Sequence, residues 1–246
     1  MRALVGTSGW QYEDWRGVLY PVELPKRRWL STYAERFPTV EVNNTFYRLP
    51  EASTFARWAR ETPEGFVWTV KASRFITHVR RLRDCAEPVE LLRSRAAELG
   101  PRLGPVLFQL PPSLPADPAL LRAFLDVLPQ TMRAAFEFRH RSWFRDDVYA
   151  LLEGAGAAVV LADRPFARAP DVVTGGWAYL RFHQGRPDAP GYPRRKLRRW
   201  AERIAALEAR EVFVYFNNDT GGAAIRDALT LTELLAATAG VRPRRR

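Results

Sequence analysis

A lysine in an arginine-rich chain is the first candidate for chemistry. The sequence has 38 basic residues, of which only those at positions 26, 71 and 196 are lysines. Lys71 ends the apolar run Val67–Lys71. A desolvated amine can lose its proton or act as a compact point charge, and a guanidinium can do neither. We predict that Lys71 is a base or an electrostatic clamp. A structural ion pair with Glu41 or Glu137 is the alternative.

Carboxylates and a histidine supply candidates for proton transfer. Such side chains act as general acids and bases when the substrate's proton lies within reach. Nearby arginines would lower the pKa of the carboxyl groups and keep them ionised. The alternative is a structural charge network, in which the charges must be paired because burial of an unpaired charge is costly. The predicted catalytic residues are Lys71, Glu137, Glu41, Asp163 and His183.

Amide, guanidinium and aromatic side chains are candidates for binding a substrate. Arginine binds anions, and aromatic rings stack on a sugar or a base. For most of the aromatic residues, packing of loops onto the protein is the alternative. The predicted substrate-binding residues are Asn43, Gln109, Arg139, Arg181, Asn217, Asn218, Tyr47 and Trp143.

Two glycines near the end of the chain suggest an anion site. In Asn217–Gly222 they precede a predicted helix, and free backbone N–H groups at a helix start favour an anion such as phosphate. Arg181 would reinforce such a site. An ordinary capped turn is the alternative interpretation.

A metal site has little support. The three histidines, His78, His140 and His183, all follow predicted strands, and with Glu137 or Asp163 they could hold a metal. Their spacing matches no compact ligand motif. We therefore assign no metal ligand, and the cofactor stays unknown.

Eight β-like runs and seven helix-like segments must position these residues. Strands that alternate with helices form a parallel sheet, and eight such units in about 250 residues close into a barrel. The β-like runs are Leu4–Thr7, Val40–Asn43, Val67–Lys71, Val106–Gln109, Ala134–Glu137, Ala158–Leu161, Ala178–Arg181 and Val212–Phe216. The helix-like segments are Lys26–Arg36, Ala52–Glu61, Pro88–Leu99, one from the cap Asp117 to Leu128, Asp146–Glu153, Arg194–Arg210 and Ala223–Ala239.

The predicted fold is a single (β/α)8 barrel of the TIM type, in the α/β class, with parallel strands. It spans residues 1–241, its sixth connection Ala162–Trp177 is mostly loop, and residues 242–246 form a disordered basic tail. An open doubly wound sheet is the competing fold, but Gly6–Trp10 (GTSGW) lacks the third glycine of a dinucleotide-binding turn. Because the carboxyl ends of barrel strands meet at one rim, the predicted site residues should converge there.

Charge and composition limit the location and the partners. The formal net charge of +11 favours anionic ligands. A GC-rich coding bias also explains the arginine excess, so the charge is discounted as evidence for a nucleic-acid partner. The basic segment Pro193–Trp200 is more often a solvated helix face, and nucleic acid is kept as the alternative partner. Cys85 is the single cysteine, no signal-peptide stretch begins the chain, and no run reaches the roughly 18 apolar residues of a membrane span. We expect a cytoplasmic protein with no membrane partner; the oligomeric state is left open.

Several segments together resemble a known family. They are Gly6–Trp10 (GTSGW), Val40–Tyr47 (VEVNNTFY), Lys71–His78, Phe108–Ser113 (FQLPPS), Glu137–Trp143 (EFRHRSW), Arg181–His183 (RFH) and Phe216–Asp219 (FNND). In order and type these segments resemble the YecE-like family, a bacterial and archaeal domain of unknown function. Arg141 stands where that family more often has proline. The resemblance implies a (β/α)8 barrel and supplies no reaction.

The function predicted from these residues is an enzyme, a hydrolase or a lyase/isomerase, that acts on a small polar anionic substrate of phosphate or sugar type. A nucleic-acid-binding or nuclease-like barrel is one alternative. A non-catalytic barrel that binds a metabolite is the other.

Overall fold

Eight parallel strands close into a barrel. The computed structural model describes residues 1–163, 171–183 and 189–240. Each strand pairs in parallel with the next one along the chain, and β8 pairs with β1. The strands are β1 (Arg2–Ser8), β2 (Thr39–Val42), β3 (Val67–Lys71), β4 (Leu103–Gln109), β5 (Ala134–Glu137), β6 (Ala158–Asp163), β7 (Ala178–Phe182) and β8 (Glu211–Phe216). The predicted (β/α)8 fold is confirmed.

The connecting helices lie close to their predicted positions, except that the helix predicted over Arg194–Arg210 ends at Ala205. Those of the described residues are α1 (Trp29–Ala34), α2 (Ala52–Glu61), α3 (Ala86–Ala96), α4 (Pro118–Val127), α5 (Asp146–Gly154), α6 (Arg194–Ala205) and α7 (Ala223–Gly240). The Asp117 carboxylate caps α4 by accepting a hydrogen bond from the Leu120 N–H at 2.9 Å, and Pro118 takes the first helical position, as predicted. None of these helices has the length and apolar character that crossing a membrane requires.

The sixth connection contains no helix in its described part, residues 171–177. Residues 164–170 of that connection lie outside the described residues. The predicted tail, residues 242–246, also lies outside them.

Strand alternation divides the apolar side chains into two layers. Every second side chain along a strand points outward and packs against the helices, and these outward side chains belong to the larger cluster. Gly6 allows β1 to approach β2, since a Cβ atom there would lie 2.2 Å from the Thr39 carbonyl oxygen. The side chains that point into the barrel form one cluster of Leu4, Leu107, Ala135, Ala158, Val160, Trp177, Tyr179, Phe213 and Tyr215.

The amino ends of the strands are closed by packing. The Arg133 guanidinium lies over the rings of Trp177 and Phe213, 4.6 and 5.0 Å from their centroids. Its Nη1 donates to a Glu211 carboxylate oxygen at 2.7 Å. At the carboxyl ends, by contrast, the inward positions carry charged and polar groups, so the candidate chemistry lies at that end.

Candidate functional site

Arg181 lies at the centre of a buried charge network. Its Nη2 donates to Glu41 Oε1 at 2.7 Å, and its Nη1 donates to Glu137 Oε2 at 2.5 Å. All three side chains are buried. This triad joins the ends of β2, β5 and β7. Its opposite charges offset part of the free-energy cost of burying each of the three groups.

Both oxygens of the Glu41 carboxylate accept hydrogen bonds from buried side chains. The Ser8 hydroxyl donates to Oε1 at 2.6 Å, and the Tyr179 hydroxyl donates to Oε2 at 2.5 Å. Burial raises the pKa of the Tyr179 phenol, so it remains a donor. We therefore revise the predicted roles: Glu41 and Arg181 form the floor of the site and are not placed to move a proton or to grip a substrate directly.

Lys71 and Arg139 form a second tier above this floor. Both donate to one acceptor, Gln109 Oε1, from Lys71 Nζ at 3.1 Å and from Arg139 Nη2 at 2.7 Å. Arg139 also donates through Nε to Glu137 Oε1 at 3.2 Å, and its side chain keeps 27% of its surface exposed. These three predicted residues, which end or follow β3, β4 and β5, do converge.

The Lys71 amine is desolvated without being paired to a carboxylate. The residue is 9% exposed, and its Nζ lies 4.3 Å from the centre of the Phe46 ring. Burial lowers the pKa of Lys71 from 10.5 to about 8; Arg181 and Arg139 lower it too, and Glu41 and Glu137 oppose them. Over the described ranges no carboxylate oxygen lies within 4.0 Å of Nζ, so the alternative of a direct ion pair is not formed.

His183 and Asn217 lie beside Glu137. His183 Nε2 is 3.6 Å from Glu137 Oε1, and Asn217 Nδ2 is 3.4 Å from His183 Nδ1. His183 thus lies beside a carboxylate, an arrangement suited to proton transfer.

His78 lies on the Lys71 side of the mouth. It belongs to a π-helical turn, Phe75–Val79, and its ring lies nearly perpendicular to the Phe46 ring, with 5.0 Å between the two centroids. Burial lowers the pKa of His78, and the positive charges of Lys71 and Arg139 lower it further. Cationic groups thus gather near the ends of β3 to β5.

Asp163 points away from this network. It has the alternation phase of Val159 and Leu161, which pack in the outer cluster, whereas Val160 belongs to the inner one. Its Oδ2 lies 2.6 Å from Nζ of Lys196 on α6. The prediction that Asp163 is catalytic is corrected, because a one-residue offset puts its side chain among the helices.

Trp143 and Asn218 are also corrected. The Trp143 side chain is fully buried, and its indole N–H donates to the Leu114 carbonyl oxygen at 2.8 Å. Asn218 Nδ2 donates to the Pro190 carbonyl oxygen and to Asp227 Oδ2, both at 2.7 Å. Both residues hold loops in place.

The glycine turn before α7 is already filled by a carboxylate. The Gly221 N–H donates to Asp14 Oδ2 at 3.2 Å. Burial and the Asp14 charge raise the pKa of nearby Asp219. The prediction of an anion site at this turn is corrected, since two carboxyl groups oppose a further negative charge.

For Asn43 and Tyr47, substrate binding stays a prediction. Asn43 follows β2 and is half-buried, and Tyr47 is exposed with its ring against Phe46.

In the part of the chain that the structure describes, no group of three His, Cys, Asp or Glu side chains could hold a metal ion. His140 uses its Nδ1 for the Ser142 hydroxyl, at 2.7 Å.

Ser8 and Tyr179 were missed by the sequence analysis. Tyr179 precedes Arg181 by two residues on β7, so strand alternation places both inside the barrel. In the same way, Ser8 lies two residues after Gly6 on β1, so strand alternation places it inside the barrel as well. The missing information was which polar group each side chain meets.

A groove of about 940 Å³ runs between α4 and α5, away from the mouth. Leu125, Met132 and Leu151 are among the residues that line it. None of the predicted site residues does, so it is separate from the charge network.

Comparisons with known proteins agree on one family. The protein-family model described as "Protein of unknown function DUF72" matches residues 4–246 of this chain. The chain is 29% identical to the UPF0759 protein YunF of Bacillus subtilis (strain 168) over an alignment that covers 94% of each protein. A DUF72 family protein from Thermotoga maritima MSB8 is 30% identical with a TM-score of 0.87, over 96% of this chain and 100% of that one. Another from Enterococcus faecalis V583 is 22% identical with a TM-score of 0.81, over 95% of each chain.

These matches extend over nearly the whole chain and agree with the resemblance seen in the sequence motifs. The chain belongs to the DUF72 family of proteins of unknown function.

Proposed function

We propose that the protein is an enzyme that acts on a small polar substrate carrying an anionic group, of phosphate or sugar-derivative type, at the carboxyl end of the barrel. The observation that carries this proposal is the convergence of Lys71 and Arg139 on the neutral oxygen of Gln109. A neutral acceptor does not cancel the positive charges of the two groups that donate to it, so these two groups can still attract an anion.

The charges of the network support this assignment. Among the described residues of the network, Lys71, Arg139 and Arg181 are cationic and Glu41 and Glu137 are anionic, so one positive charge is in excess. Arg181 is held by both carboxylates and Arg139 by Glu137, whereas Lys71 has no carboxylate within ion-pair distance in the described ranges. An arginine fork binds phosphate or carboxylate with two parallel hydrogen bonds, and the Arg139 side chain is exposed enough to do so.

Proton transfer is assigned to two groups. A pKa of about 8 gives Lys71 a neutral fraction near neutral pH, which suits a general base. Glu137 with His183 forms the second acid–base pair, because the imidazole Nε2 lies 3.6 Å from the carboxylate and the His183 side chain keeps 12% of its surface exposed.

Titration calorimetry with inorganic phosphate and a panel of sugar phosphates tests the anion site. Arg139→Gln should weaken binding about tenfold or more, because it removes a charge-assisted contact. The control is Arg93→Gln, which changes an exposed arginine on α3 that pairs with Glu90. The proposal fails if no compound binds, or if Arg139→Gln binds as tightly as the unchanged protein.

A nucleic-acid-binding barrel is the second candidate, and α6 favours it. Arg195, Arg198 and Arg199 on this helix are exposed. Binding to single- and double-stranded oligonucleotides should then weaken steeply as salt is added, because condensed counterions are released. A flat salt response, or no binding near physiological salt, would remove this candidate.

A further inference from the structure

We propose that Lys71 is a nucleophilic amine that forms an imine with a carbonyl group of the substrate. The substrate class is then an aldehyde or ketone that also carries an anionic group. This inference rests on the proposed function, because the same mouth must bind the anion, and it adds the chemistry of the group beside that anion.

The three lysines of the chain have different surroundings. Lys26 is 68% exposed and pairs with Glu13, and Lys196 is 43% exposed and pairs with Asp163. A carboxylate partner stabilises the ammonium form and so suppresses nucleophilic attack. Lys71 is 9% exposed and, within the described ranges, has no such partner.

The acceptor of the Lys71 amine is suited to a neutral nitrogen. Gln109 Oε1 is held toward Lys71 by the second hydrogen bond that it accepts, from Arg139. A neutral amine donates to an amide oxygen as an ammonium does, and it loses no ion pair when it gives up its proton. The guanidinium groups of Arg139 and Arg181 oppose a third positive charge nearby.

The position of the amine is fixed by its surroundings. The Thr45 hydroxyl donates to the Lys71 carbonyl oxygen at 2.6 Å, which anchors the end of β3. The Phe46 ring covers the amine. A desolvated lysine in such a setting is an activated nucleophile toward carbonyl carbon.

The step balances without an oxidant or a reductant. The lone pair of neutral Nζ attacks the carbonyl carbon, a C–N bond forms, and the carbonyl oxygen takes a proton while the nitrogen releases one. A second proton then goes to the hydroxyl group, which leaves as water, and the protonated imine remains. Solvent supplies this proton and takes up the one that the nitrogen releases.

Reductive trapping tests the inference on the full chain. The protein is incubated with dihydroxyacetone phosphate or pyruvate and sodium cyanoborohydride, and adducts are located by intact mass and peptide mapping. We expect one adduct per chain on Lys71, formed at least about tenfold faster than on Lys26 or Lys196, because a larger share of this amine is neutral. Uncharged dihydroxyacetone should label Lys71 more slowly than its phosphate ester.

Two variants complete the test. Lys71→Arg keeps a positive charge and should lose the adduct, and Lys26→Arg should keep it. Equal labelling of the three lysines, or none on Lys71 with either anionic probe, overturns the inference. Phosphate calorimetry on the same preparation separates the two proposals: binding that depends on Arg139 without labelling of Lys71 refutes the imine alone, and the loss of both refutes the proposed function.

Discussion

At the scale of single residues, the charged groups divide into those that are committed and those that are available. Both oxygens of Glu41 accept hydrogen bonds, from Ser8, Tyr179 and Arg181, and both terminal nitrogens of Arg181 donate to Glu41 and Glu137. The Lys71 amine and Arg139 Nη2 share one amide oxygen instead, and Arg139 also donates through Nε to Glu137 while its side chain stays 27% exposed. Availability for chemistry therefore follows from the partner that each side chain has, and the residue type alone does not decide it.

The pH dependence of Lys71 labelling follows from this setting. The pKa of Lys71 is lowered to about 8, so the neutral fraction rises about tenfold per pH unit below 8 and levels off above it. The rate of reductive labelling of Lys71, measured from pH 6 to 10, should show this plateau. A rate that still climbs between pH 9 and 10, as expected for an ordinary lysine amine, would contradict the lowered pKa. The groups that set it, besides burial, are Arg181, Glu41, Glu137 and Arg139.

At the scale of elements, strand alternation decides which polar residues meet. Glu137, Arg181 and Lys71 have the inward phase of β5, β7 and β3, and Asp163 has the outward phase of β6. Ala162 takes the inward phase beside it. The site is thus built from residues at the inward positions of several strands. Asp163 is not part of it, because it lies one residue after an inward position.

The Arg181 triad should contribute to stability because it joins three strands. Arg181→Met leaves Glu41 and Glu137 buried without their shared cation, and we expect a loss of about 3 to 5 kcal/mol in the free energy of unfolding. Urea denaturation measures it. Arg93→Met, an exposed position on α3, is the control and should leave the midpoint unchanged. A variant as stable as the control would show that the triad does not hold the strands together.

At the scale of the whole molecule, the two ends of the barrel have separate tasks. The amino end is closed by Arg133 between Trp177 and Phe213, and the carboxyl end carries the charge network. The mouth itself is asymmetric. Its cations gather after β3 to β5, and the carboxylates of Asp14 and Asp219 lie near the turn before α7. A bound anion should therefore lie on the Lys71 side.

The separation of the two ends is open to measurement. Arg133→Ala removes the cation from both rings and from Glu211, and we expect it to lower stability by about 1 kcal/mol. Phosphate affinity should stay within twofold of the unchanged protein, because the variant alters the end opposite the mouth. Thermal denaturation and calorimetry together check both expectations, and a marked loss of affinity would show that the ends are coupled.

The sequence by itself determined the order of strands and helices, the barrel, and the convergence of Lys71, Gln109 and Arg139 at strand ends. Local patterns suffice for these, since a strand ends where its apolar run ends and parallel strands share one direction.

Only the tertiary structure decided which of the polar residues cooperate. Glu41 and Arg181 lie 140 positions apart, and the carboxylate at the α7 turn comes from Asp14, 207 positions before Gly221. No local pattern encodes such a meeting, because it depends on the alternation phase of each strand and on how loops fold over the rim. For the same reason, only the tertiary structure shows where the side chains of Asp163, Trp143 and Asn218 lie.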